Sequence, residues 1–251
     1  MSDHHIGPAE TISDLMAYDG LKIIESKNHF RMSIEAVMLA NFVKLLPRTK
    51  YIMDFGTGTG SIPLMLSLWT KAKMVGVEIQ PELCDLARRS IEYNNLENQI
   101  AIDMDDISAV HLHYPPSSFD IVVCNPPFFP GGQPSENNMN KETAKHEKAV
   151  DLMLIATAAS RLLKEGGAFC FIHRADQLEK VVSVVMAEGF ALKRMRFVYP
   201  KPGEKALWML CEAKFRGHSG SLEFMEPLYV QQENGEYSSE VSRYFHRSRE
   251  V

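Results

Sequence analysis

The sequence predicts an α/β fold: a mostly parallel β-sheet, helices on both of its faces, and one antiparallel hairpin at the C-terminal end. Three observations carry this. From residue 51 onward, short apolar runs alternate with longer helical stretches, the pattern of strands buried on both faces beneath crossover helices. The first of these runs leads straight into a glycine-rich turn, Gly56-Thr57-Gly58-Thr59-Gly60. The last two β-like runs are joined only by Pro200-Lys201-Pro202-Gly203-Glu204, whereas a parallel crossover needs about a dozen residues.

Each element has a local reason. Ser33 caps a helix from Ile34 to about Leu46, with Ile34, Val37, Met38 and Val43 on one side and Pro47 just past its end. Tyr51–Phe55 is a strand and Ser61–Trp69 a helix. Met74–Glu78 is the next strand, and Pro81 opens a helix through Asn94 from a favoured first-turn position. Ile100–Met104 and Ile121–Cys124 are strands. Val150–Leu163 is an apolar helix ended by Gly166-Gly167, followed by a strand over Ala168–Ile172. Ala175–Glu188 is a helix with Gly189 as its C′ residue. Ala191–Tyr199 and Ala206–Lys214 form the terminal hairpin. This arrangement matches the seven-stranded Rossmann-like methyltransferase architecture. Residues 126–149, rich in Pro, Gly and polar side chains, read as a long loop of the kind that carries function.

Composition narrows the function classes. With 45% hydrophobic and 24% charged residues the chain is an ordinary globular one. No apolar run approaches the roughly 18 residues that span a bilayer, and Met1-Ser2-Asp3-His4-His5 has no signal-peptide character. A cytoplasmic protein without membrane contact is expected. Cys84, Cys124, Cys170 and Cys211 are scattered and read as small buried hydrophobes, not disulfides or zinc ligands, and no metal is expected. A net charge of −5 requires any nucleic-acid surface to be local. Its candidates are Lys193, Arg194 and Arg196, then Lys201 and Lys205, then Arg243, His246, Arg247 and Arg249; a solvated charged face is the competing reading of each.

The glycine turn points to a cofactor. Glycines between a strand and a helix let backbone approach a ligand closely. A dinucleotide fingerprint places its third glycine at position 61, which is Ser61. The segment Asp54, Gly56, Thr57, Gly58, Gly60 instead has Gly-x-Gly-x-Gly spacing with Asp54 two residues ahead, which favours S-adenosylmethionine over NAD. Asp54 is expected at the amino-acid end of that cofactor. Glu78, at the end of the second strand, matches the acidic residue that grips ribose hydroxyls with two adjacent oxygens. Asp106 accepts from the adenine amino group, with Asp105 as its competitor, while Ile79 and Ile107 pack on the ring. Residues 1–50 are expected as an N-terminal helical segment packing on the cofactor side of a domain spanning 51–251.

Asn125-Pro126-Pro127-Phe128 follows the run Ile121–Cys124 and suits an amino-group clamp. An exocyclic amine is a poor nucleophile because its lone pair is delocalised. The Asn125 side-chain carbonyl and the Pro126 backbone carbonyl can each accept one of its hydrogens. Pro126 and Pro127 stiffen the turn, and Phe128, with Phe129 as a second candidate, offers a stacking face for a flipped base. Asn125 also borders the cofactor. The sulfonium leaving group makes alignment the main catalytic task. His146 either faces substrate phosphate or starts the following helix.

These residues resemble a known family. Asp54–Gly60, Val77-Glu78-Ile79-Gln80, Asn125–Phe129, Lys145-His146-Glu147 and His173-Arg174 look like the bacterial tRNA1(Val) adenine-37 N(6)-methyltransferases, as do Phe30-Arg31-Met32-Ser33 and Gly235-Glu236-Tyr237. The resemblance implies methylation of an adenine beside a tRNA anticodon. It implies Asn125, Pro126 and Phe128 at the target amine, and Asp54, Gly56, Gly58, Glu78, Asp106 and Arg31 around the cofactor. Phe128 stands where many relatives carry Tyr, and Lys145 where Arg is expected. The clamp motif is shared with DNA adenine, rRNA guanine and protein glutamine methyltransferases. An RNA substrate, with tRNA foremost, is the expectation; a protein glutamine, rRNA or DNA acceptor is the alternative. The Ser61 spacing disfavours a nicotinamide oxidoreductase, and a catalytically inactive RNA-binding module is the remaining class. Oligomeric state is not legible.

Overall fold

The computed structural model describes residues 6–15, 20–28, 32–126 and 152–246. Their elements run β1 (Glu10–Asp14), β2 (Lys22–Ser26), α1 (Ile34–Phe42), β3 (Tyr51–Phe55), α2 (Ser61–Ser67), β4 (Lys73–Glu78), α3 (Pro81–Tyr93), β5 (Ile100–Met104) and β6 (Phe119–Cys124). They continue with α4 (Leu152–Leu162), β7 (Leu163–Arg174), α5 (Leu178–Ala187), β8 (Phe190–Tyr199), β9 (Trp208–Phe215), β10 (Glu223–Phe224), β11 (Leu228–Tyr229) and α6 (Ser239–Phe245).

The main sheet has the order β10-β8-β9-β7-β6-β3-β4-β5, with β11 also on β8. Strands β3 to β7 pair in parallel, and β9 lies antiparallel between β7 and β8. The seven expected strands and the terminal hairpin are therefore present. Two strands of two residues, β10 and β11, run along the outer edge of β8 and bring the sheet to nine.

Alternation along the strands builds two cores. Ile52, Ile121 and Ile172 face α1, α2 and α3 on one side. Met53, Val122, Phe169 and Phe171 face α4 and α5 on the other. Phe169 and Phe171, two residues apart and so on one face, stack at 4.5 Å. Burying each such ring contributes about 2–3 kcal/mol. All four cysteines are buried and free, and burial pushes the Cys84 thiol up to about 11 and Cys170 to about 12.

Three local differences from the sequence expectation have physical causes. Helix α1 stops at Phe42, before Leu46, because Val43 is already extended. The chain then makes a turn in which the Leu46 N–H donates to Thr49 Oγ1 (3.2 Å) and the Thr49 N–H to the Leu46 carbonyl (2.9 Å), helped by the aversion of a pre-proline residue to helix.

Gly166-Gly167 lies inside β7 and does not end α4. Leu163 pairs with Phe119 and Ala168 with Ile121, so 164–167 bulge opposite Asp120. Gly166 has φ +73°, and a Cβ on Gly167 would meet the Lys164 carbonyl at 2.8 Å. The end of α4 is instead capped by the Ser117 and Ser118 N–H groups, which donate to Arg161 and Leu162 carbonyls.

The N-terminal stretch holds an antiparallel hairpin, β1–β2, besides its helix. Its strands are short and half polar, so periodicity does not reveal them. Helix α3 holds the hairpin: Ser90 Oγ accepts from Ile24 N–H (2.9 Å), Asn94 Oδ1 from Lys22 N–H (2.9 Å), and Arg89 grips both oxygens of Glu10 (2.8 and 2.7 Å).

Candidate active site

The C-terminal ends of the parallel strands form the site. Strand β3 has β4 on one side and β6 on the other, so connections diverge there, and such a switch point opens a crevice for ligands. Asp54 is in register with Gly76 of β4 and Val123 of β6, and Glu78 with Met104 of β5.

The loop after β3 takes left-handed backbone at Gly56 (φ +66°), Gly58 (+57°) and Gly60 (+81°). A Cβ on Gly56 or Gly58 would meet no protein atom within 4 Å, whereas one on Gly60 would touch Ala87 of α3 at 3.4 Å. The first two glycines thus serve conformation and leave open space among the described residues; the third also serves helix packing. The Thr57 N–H donates to the Val77 carbonyl (3.0 Å), and the Gly60 N–H to the Thr57 carbonyl (2.9 Å). Thr57 lies over Gly76, where a Cβ would fall 2.7 Å from it. Sequence reasoning passed over Gly76, although a glycine inside a strand is a signal of close approach.

Asp54 is buried, and among the described residues neither of its oxygens has a hydrogen-bond partner. Burial pushes its carboxyl up to about 7; the Thr57 hydroxyl nearby opposes this without completing a hydrogen bond, and the charge of Glu78 adds to it. Glu78 is the anchor of the loop. Its Oε2 accepts from the Gly58 N–H and its Oε1 from the Ile79 and Gln80 N–H groups, each at 3.0 Å. Oε2 keeps the spare acceptor capacity, so the expected pair of free oxygens is closer to one.

At the end of β5, Asp105 spends both oxygens, on the Asp106 N–H (2.8 Å) and on His113 Nδ1 (2.5 Å). Asp106 is exposed, and among the described residues only its Oδ1 is engaged, by the Ser108 N–H (2.8 Å). Of the two competitors, Asp106 has the freer carboxylate. Ile79 is 56% exposed, and Ile107 packs partly against the α4–α5 core.

Asn125 follows β6 and is half-buried, with Pro126 buried behind it. The Asn125 Nδ2 donates to Ser33 Oγ (3.4 Å). Pro127, Phe128, Phe129, His146 and Arg31 lie outside the described residues.

The first basic cluster is engaged within the protein. Arg194 donates to Glu212 Oε2 (2.6 and 2.9 Å) and to the Phe42 carbonyl (2.9 Å). Arg196 is buried against both oxygens of Glu240 (2.6 and 2.8 Å), and Lys193 caps the His218 and Gly220 carbonyls. Strand alternation turns these residues toward neighbours that a linear charge count does not see. Of the second cluster, Lys201 and Lys205 lie on the β8–β9 connection at the same rim as Asn125; of the third, Arg243 and His246 lie at the end of α6 while Arg247 and Arg249 are outside the described residues. A cleft of about 340 Å³ lined by Tyr51, Lys73, Gln99, Tyr114 and Phe119 opens on the opposite rim, away from Asp54.

Residues 48–226 match the family model described as a methyltransferase domain. The chain belongs to this family. The methyltransferase is 28% identical over 192 residues to a tRNA1(Val) (adenine(37)-N6)-methyltransferase of Phocaeicola vulgatus, covering 74% of this chain and 77% of the relative. It is 25% identical over 240 residues to the protein of that name from Porphyromonas gingivalis, covering 92% and 93%. Among solved structures, a predicted O-methyltransferase from Agrobacterium tumefaciens superposes with a TM-score of 0.67 at 22% identity, over 84% of this chain and 95% of that one. TYW2 from Pyrococcus horikoshii, in complex with MeSAdo, gives 0.58 at 13% identity over 84% and 73%. These structural likenesses establish the methyltransferase's fold.

Proposed function

We propose that this methyltransferase uses S-adenosylmethionine to methylate the exocyclic amine of adenine in RNA, with tRNA as the substrate class. The observation that carries the reading is the orientation of Asn125. Its amide nitrogen is turned to Ser33, so its carbonyl is the group left to accept. Strand β6 pairs with β3, so this acceptor lies one strand from the carboxylate of Asp54. The names of the relatives, adenine-37 methyltransferases of tRNA1(Val), support the substrate.

S-adenosylmethionine supplies a methyl group on a sulfonium, which needs no strong base at the acceptor. The chain's residues fit it. Two unpartnered buried oxygens on Asp54 suit an ammonium donor, and the open side of Gly56 and Gly58 suits close backbone approach. Glu78 Oε2 accepts from a ribose hydroxyl, Asp106 from the adenine amine, and Ile79 and Ile107 flank the ring. Ser33, the N-cap of α1, lies beside Asn125, which supports reading the N-terminal segment as packing on this side. Asn125 Oδ1 and the Pro126 carbonyl hold the two hydrogens of the substrate amine. As that nitrogen gains positive charge both acceptors bind it more strongly, which favours the transition state over the ground state. The base-stacking role of this reading falls to Phe128, which with Pro127 lies outside the described residues.

The test is transfer of labelled methyl from the cofactor to total RNA, followed by nuclease treatment and mass spectrometry of nucleosides. Nuclease-sensitive label recovered as N6-methyladenosine is expected. Label retained in protein as methylglutamine would reject the RNA reading.

A further inference from the structure

Ser33 lies where three elements meet. The Met32 N–H just before it donates to Glu25 Oε1 of β2 (3.0 Å), and Glu25 is buried. The hairpin carrying Glu25 is held to α3 by the Arg89, Ser90 and Asn94 contacts. Ser33 Oγ then accepts from two donors: the Ala36 N–H (3.3 Å), as the N-cap of α1, and Asn125 Nδ2 (3.4 Å). The hydroxyl is thus fixed by the hairpin behind it and by the first turn of α1 ahead of it.

This matters because an asparagine amide has two ends of the same shape and opposite sense. Rotation about its last torsion exchanges carbonyl and NH₂. A substrate amine presents hydrogens. An asparagine turned the wrong way would oppose them with hydrogens of its own and lose the interaction that grows during methyl transfer. Something must choose the end, and the backbone of strand β6, which ends at Cys124 just before Asn125, does not. Ser33 Oγ, already an acceptor toward Ala36, offers its second lone pair to the Asn125 nitrogen.

We propose that Ser33 is a positioning residue for the transfer, holding Asn125 with its nitrogen inward and its Oδ1 toward the acceptor amine. The inference rests on the reading of Asn125 as the amine clamp.

Three variants separate this role from helix capping. Ser33→Gly removes the hydroxyl but leaves a residue that is nearly as good an N-cap, and Ser33→Thr keeps both functions. Turnover on unmodified tRNA is measured beside cofactor affinity by calorimetry and melting temperature. Ser33→Gly is expected to lower kcat about tenfold, the scale of one orienting hydrogen bond, with cofactor affinity unchanged; Ser33→Thr should retain the parent kcat. In an Asn125→Ala background, Ser33→Gly should cause no further loss, because the group it orients is gone. An unchanged kcat in Ser33→Gly, or an equal fractional loss in both backgrounds, overturns the assignment while leaving the clamp in place. If the parent protein fails to methylate tRNA at all, the clamp reading falls and takes the Ser33 assignment with it.

Discussion

An enclosed carboxylate without hydrogen-bond partners is costly to ionise, and among the described residues Asp54 is such a group. Its carboxyl moves from 3.8 in the unfolded chain to about 7 in the fold. The folded protein therefore keeps a proton that the unfolded chain releases, so stability falls as pH rises from about 4 to about 7, by on the order of 4 kcal/mol. Asp54→Asn should raise the melting temperature of the free protein more at about pH 8 than at about pH 5. An ammonium ligand needs the ionised form. Cofactor binding below pH 7 should then release a proton, with affinity rising toward pH 7 and levelling above it. Calorimetry in two buffers of different ionisation heat counts that proton, and finding none at about pH 6 would contradict the role given to Asp54. Asn125→Ala should cut turnover about a hundredfold with little change in cofactor affinity, whereas Glu78→Ala should weaken cofactor binding first. Gly76→Ala would drive a methyl group into Thr57 and should weaken cofactor binding while the sheet still folds, a split visible by comparing calorimetry with circular dichroism. Asp54 and the glycines were legible because spacing and φ are local matters. The isolation of Asp54 and the contact of Thr57 with Gly76 were not, since they exist only once β3 and β4 lie side by side.

The elements divide in the same way. Strands β3 to β6 and the β8–β9 hairpin could be read from apolar runs and connection length. The bulge in β7 and the hairpin β1–β2 could not, because tertiary partners determine both. Asp120 is the partner at the bulge: it accepts from the Lys50 and Tyr51 N–H groups (2.8 and 2.9 Å) and pairs with Lys164 (2.6 Å). Burial pushes its carboxyl up, but Lys164 and the two backbone N–H groups outweigh that and leave it below the usual range. Its contribution is accordingly present above about pH 4 and lost as pH falls through its lowered value. Asp120→Ala should cost about 1–3 kcal/mol in urea unfolding at neutral pH, and the difference from the parent should shrink in acid. Similarly, Glu240 is held below its ordinary value chiefly by its hydrogen bonds with Arg196. Glu240→Ala should release α6, seen as faster amide exchange over Ser239–Phe245 with β7 and β9 unaffected.

For the molecule as a whole, the net charge of −5 was plain in the sequence, but which cations are free to meet a polyanion was not. Arg194 and Arg196 are committed to Glu212 and Glu240, whereas Lys201 and Lys205 lie on the β8–β9 connection at the rim of the candidate site. Each phosphate that these two lysines neutralise should contribute a slope of about −0.7 to −0.9 to the salt dependence of RNA affinity. Reversing both lysines to Glu should weaken RNA binding in filter assays without altering cofactor affinity. The short strands β10 and β11 act at this scale too. By pairing with Arg194–Met195 and Val198–Tyr199 they occupy peptide groups that an outermost strand would otherwise present to solvent. Strand-by-strand fusion with a second copy, the usual hazard of an open sheet margin, is thereby restricted on that flank, leaving β5 as the more vulnerable border.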